Sequence, residues 1–116
     1  MAFDEQLAER VRAVLADRAD LDERKMFGGL AFMLGGHMAC GIVGDDLMLR
    51  LGPDGAQAAL ATPHVRPMDF TGRPMRAMVY VGAEGVRTAA QLRRWVAAAV
   101  TFVDDLPPKE PTKLTG

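Results

Sequence analysis

The sequence predicts an α+β domain of two layers, a mainly antiparallel five-stranded sheet with helices packed on it, in the order α-β-β-β-α-β-β-α. Three observations carry this. Apolar residues recur at three- and four-residue steps near both ends of the chain. Between residues 26 and 51 the pattern changes to short apolar runs. The glycine-containing breaks between those runs have hairpin length, too short for the crossover that parallel strands require.

From Phe3 to about Arg18, the residues Phe3, Leu7, Ala8, Val11, Val14 and Leu15 mark one face of an amphipathic helix, with Asp4 placed as its N-cap. The acidic "ADLDER" ends that helix and leads into Lys25. Residues 26–34, 37–43 and 47–51 read as a three-strand meander. Gly35-Gly36 supplies the positive φ angles of a tight turn, and the alternation of Leu47, Leu49 and Leu51 with Met48 and Arg50 gives one core face. "GPDGAQAALATP" follows as a short helix stopped by Pro63. "VRPMDF" and "MRAMVYV" are two strands across "TGRP", and Pro67, which lacks a donor, places the first at a sheet edge or a bulge. Thr88 and Gln91 have capping-box spacing ahead of a helix lined by Leu92, Trp95, Val96, Ala99, Val103 and Leu106. Residues 1–106 thus form one domain, and 107–116 a polar tail expected to be mobile.

At 116 residues, 49% hydrophobic and 25% charged, the chain has the make-up of a globular domain able to fold without staples. A single cysteine, Cys40, excludes an intramolecular disulfide and a four-cysteine zinc site. No run approaches the ~18 apolar residues of a membrane span, and the N-terminus lacks a signal-peptide core, so a cytoplasmic location is expected. Net charge is −1 but uneven: residues 1–24 carry seven acids against four arginines, and residues 66–94 carry six arginines against Asp69 and Glu84. That distribution admits an anionic partner, although most such distributions are merely solvated surface.

The glycine pairs Gly28-Gly29 and Gly35-Gly36 are followed by strand-like sequence, whereas a phosphate cradle needs a helix N-terminus there. Gly28-Gly29 is read instead as a bulge or a close backbone approach. His37 and Cys40 form HxxC, a spacing whose members diverge on a strand, so no metal and no cofactor is expected. Cys40 lies in the apolar run "MACGIV", which raises a thiol pKa. Met26, Met33, Met38 and Met78 are read as core filling, as is Trp95. With no motif of known catalytic mechanics, a non-enzymatic protein is expected.

At "RKMFGGLAFMLGGHMACGIVGDDLMLRLG", continued by "RPMDFTGRPM" and "LRRWV", the chain resembles the N-terminal domain of the TfoX/Sxy family from roughly Phe3 to Leu106. The resemblance implies a secretion-chaperone-like α+β fold and a structural role for Lys25, Met26, Phe27, Gly28, Gly29, Pro67 and Met68. Founding members of the family are coactivators of competence-gene transcription alongside a cyclic-AMP receptor protein, and they carry a second, helical domain. Since this sequence stops at Gly116, a stand-alone N-terminal domain is expected. The family supplies no catalytic residues.

Three functions follow as expectations. The first is a regulatory module that binds an unidentified protein partner through Arg66, Arg73, Arg76 and Arg94 near the Pro67 edge. The second is a small-molecule or enzymatic pocket near Gly28, Gly29, His37 and Cys40. The third is direct nucleic-acid binding, disfavoured by the acidic first helix and the scarcity of aromatics. The edge strand and last helix also offer surfaces for a homodimer.

Overall fold

The computed structural model describes residues 3–26, 28–70 and 73–107; the side chains of Met26, Asp69, Phe70, Arg73, Pro74 and Met75 are not part of that description. The elements run α1 (Glu5–Val14), β1 (Leu21–Met26), β2 (Gly29–Leu34), β3 (His37–Val43), β4 (Asp46–Arg50), α2 (Gly52–Ala59), β5 (Val65–Phe70), β6 (Arg73–Val81), a 3₁₀ turn (Ala83–Val86) and α3 (Ala89–Asp104). One sheet of order β1-β2-β3-β4-β6-β5 contains six strands, all pairing antiparallel. The expected tail from residue 108 onward lies outside the described residues, as do Phe27 and Thr71-Gly72, where the sequence leads one to expect a turn.

The sheet therefore has one strand more than the sequence reading gave. "LDERKM" is β1, an edge strand whose charges conceal its extended conformation. Charged side chains are what an exposed edge tolerates. Glu23 on β1 takes a bidentate pair from Arg12 of α1, at 2.7 and 2.9 Å, which fastens the strand to the helix layer. This pairing holds the Glu23 carboxyl below its ordinary pKa. Gly28, between the paired Met26 and Gly29, consequently sits at a strand connection at φ +75° instead of in a bulge.

At Gly29 the expected close approach is present: an added Cβ would press into the Ile42 carbonyl oxygen and sit 3.1 Å from Val43 Cγ2. Gly35 and Gly36, at φ +58° and +87°, make the β2–β3 turn. β5 is the far edge strand, and its register shifts between Pro67 and Met68, so Pro67 occupies an edge and a bulge together. The first helix is shorter than expected, because Phe3 pairs with Gly44 in an isolated bridge ahead of the Asp4 cap and Leu15 already leaves helical geometry. The Thr88/Gln91 capping box is formed reciprocally at α3.

The main core lies on one face of the sheet. Alternate residues Leu30, Phe32 and Leu34 of β2, Leu47 and Leu49 of β4, and Val79 and Val81 of β6 meet Leu7 and Val11 of α1 and Leu92, Val96 and Ala99 of α3. Trp95, expected in the core, is half-buried against it. On the other face Met48, Met68 and Met78 form a second, smaller cluster with Met38 and Tyr80. Met78 and Met38 thus fill a core as expected, while Met33 is half-buried and Met26 has no described side chain.

Two contacts fix the end of α3. His37 Nε2 donates to the Pro107 carbonyl at 2.8 Å, and Arg18 bridges Asp20 (3.0 Å) and Asp104 (2.9 Å). Hydrogen bonds from Arg18 lower the pKa of both carboxyls. Groups with depressed folded pKa values contribute stability above their unfolded pKa and lose it as pH falls through the folded value. Thermal melts of Arg18→Gln should accordingly fall slightly below the parent at neutral pH, with the gap closing in acid; a gap that widens in acid would contradict the bridge. The effect is small because these groups are solvent-screened.

Candidate functional site

The four arginines singled out in the sequence do not share a surface. Arg66 on β5 is cross-strand to Tyr80, lies 5.3 Å from that ring's centroid, and binds Asp46 of β4 at 2.7 Å. The hydrogen bond to Asp46 raises its pKa further. It is committed to an intramolecular pair. The side chain of Arg73 lies outside the described residues. Arg76 is exposed on β6, and Arg94 is exposed on α3, whose buried face packs on the sheet side opposite Tyr80 and Met78. Arg94 thus belongs to the other layer.

Arg76 borders a groove between α2 and the β5–β6 hairpin with a cavity of about 400 Å³. Its floor is Ala56, Met68 and Met78, all buried, and its rim carries Leu60, Asp54 and Arg76. Among the described residues Leu60 is the one large apolar side chain left exposed, at 37%. Helix α2 places it there: Ala56 and Ala59 are turned into the domain, so the last turn directs Leu60 outward. Methionine floors suit varied occupants, since the unbranched thioether repacks readily.

The neighbouring sheet edge offers little backbone. Gly82 N–H donates to the His64 carbonyl at 2.8 Å, making those two a bonded pair. The alternation of an antiparallel ladder then turns the backbone groups of Val65 and Pro67 outward, and Pro67 has no N–H to give. Strand addition at β5 would find one donor, that of Val65, over this stretch. Recognition here falls to the groove and its side chains.

Gly28, Gly29, His37 and Cys40 are not brought together. Gly28 and His37 sit at opposite ends of β2, and His37 is engaged with Pro107. Cys40 is fully buried beneath α3, and burial pushes its thiol up to about 12. Among the described residues no group of three His, Cys, Asp or Glu side chains could hold a metal ion. Lys25 is exposed near the end of β1, and the register of β5 shifts between Pro67 and Met68.

Sequence reading passed over Leu60 and Asp54, which periodicity alone places in an ordinary short helix. It also passed over Arg10, which on α1 reads as a solvated charge.

The profile of the TfoX N-terminal domain matches residues 13–103. The chain belongs to the TfoX N-terminal domain family. The fold of this TfoX N-terminal domain is similar to the crystal structure of Deinococcus radiodurans protein DR2400, a domain of the family DUF419. The TM-score is 0.62 at 18% identity, covering 84% of this chain and 78% of that one. Identity this low bears on the fold alone. No curated protein matches the sequence. Among the described residues of the TfoX N-terminal domain, no helix is long and apolar enough to cross a membrane.

Proposed function

We propose that this TfoX N-terminal domain is a non-enzymatic module that binds a partner protein in transcriptional regulation of the competence type, with the partner docked in the α2/β5–β6 groove. The observation that carries this is Leu60, exposed at 37% on the rim of an apolar groove beside Arg76. A fitting occupant is an extended segment that sets an apolar side chain on the methionine floor and a carboxylate against Arg76. The non-enzymatic reading is supported by the burial of Cys40 and the engagement of His37, which leave neither poised for chemistry at a surface.

The test is a tagged pull-down from lysate of the source bacterium, with and without nuclease, followed by affinity measurement on the partner recovered. Leu60→Asp and Arg76→Glu should each weaken that affinity about tenfold or more, the range of interface hot spots, while Arg94→Glu should not. A partner lost on nuclease treatment would move the function to nucleic-acid binding. Equal affinity for all three variants would remove the groove from the interface.

A further inference from the structure

We propose that the cleft between α1 and α3 is a binding site for a small organic carboxylate, independent of the protein-docking groove. The cleft encloses about 330 Å³, near the lower end of small-molecule sites, and is lined by Arg10, Ala13 and Val14 of α1 and Ala89, Leu92 and Arg93 of α3.

The charge arrangement identifies the ligand's head. Arg12, Arg18, Arg24, Arg66 and Arg87 each pair with a carboxylate. Among the described residues Arg10, Arg50, Arg76, Arg93 and Arg94 have no such partner, and of these Arg10 and Arg93 line one cleft together. Arg10 is half-buried and held in place, since its Nη2 donates to the carbonyls of Val86 (2.7 Å) and Arg87 (3.1 Å). Those bonds leave Nε and Nη1 free among the described residues, and a guanidinium fork of this kind matches a carboxylate's two oxygens. The start of α3 adds the positive end of a 16-residue helix. Carboxylates nearby are otherwise engaged: Glu84 pairs with Arg87 and Glu9 with Arg12, while Asp17 lies past the C-terminal end of α1.

The floor identifies the ligand's body. Ala13, Val14 and Ala89 present methyl surface in the cleft beside the buried Leu92, and the alanines leave the space in which an aliphatic chain fits. An inorganic anion would use the arginines and leave this surface wet. A short aliphatic carboxylate uses both.

The experiment is an amide-resolved NMR titration of the full chain with hexanoate, hexanol and inorganic phosphate. Hexanoate should give saturable shifts confined to residues 10–14 and 89–93, with hexanol and phosphate at least about tenfold weaker, because each lacks one of the two recognition elements. Arg93→Gln should weaken hexanoate about tenfold. Ala13→Glu, an exposed position in a good helix context, should abolish binding by placing a tethered carboxylate in the cleft. Arg94→Gln should have no effect. Unsaturable hexanoate shifts, equal binding of phosphate, or an unchanged Arg93→Gln variant would each overturn the proposal. Loss of partner binding in the groove would leave it standing.

Discussion

Gly29→Ala should destabilise the domain by about 3 kcal/mol, the upper range for overpacking a filled interior, and lower its melting temperature by on the order of 10 °C. The reason is steric and local. Gly29 opens β2 one residue before Leu30, the cross-strand partner of Ile42 on β3, and the atom its Cβ would strike is the Ile42 backbone carbonyl oxygen. No rotamer change relieves such a contact, so β2 and β3 must separate or twist. Its neighbour is the control. Gly28 faces open space, and its demand is a φ of +75°. Gly28→Asn should therefore cost under about 1 kcal/mol, because asparagine tolerates the left-handed region. Gly29→Asn should be at least as damaging as the alanine change. Equal costs at the two positions in denaturant melts would show that the turn, and not the β2–β3 contact, dominates this corner of the sheet.

Native Cys40 should react with a disulfide reagent at pH 8 more slowly than the urea-unfolded chain by on the order of a thousandfold, on thiolate availability alone. The thiol sits under α3 with its pKa pushed up to about 12 from an ordinary 9.0. Reaction from the native state then requires opening of the β3–α3 contact, so the labelling rate reports the population of open molecules. In Gly29→Ala the same measurement should accelerate in step with lost stability. Rapid labelling of the parent protein would mean that α3 does not cover β3 in solution and would reopen Cys40 as a reactive group.

The sequence displayed the elements whose chemistry is local. Asp4, the Thr88/Gln91 box, Gly35-Gly36 and the leucine alternation of β4 each state a backbone requirement within a few residues, and all four appear as read. β1 did not, because an edge strand can satisfy its side chains with water and with one distant helix. The Glu23–Arg12 pair that fastens it is invisible until the chain is folded. The arginine surface failed for a related reason. Proximity in sequence grouped Arg94 with Arg76, yet a helix following the sheet packs on one face while the hairpin presents its other. The two arginines that do share a cleft, Arg10 and Arg93, come from opposite ends of the chain.

Both flanks of this sheet are closed to further strands, one by the charges of β1 and the other by Pro67 and its bulge. Contact with another molecule is then left chiefly to side chains, since charges flank the backbone of one edge and the other lacks a donor at Pro67. A handful of substitutions on α2 and the hairpin could exchange one partner for another while the layers beneath stayed intact. Restoring the missing donor, as in Pro67→Val, would do the reverse, exchanging selectivity for a general affinity toward any extended chain, copies of itself included.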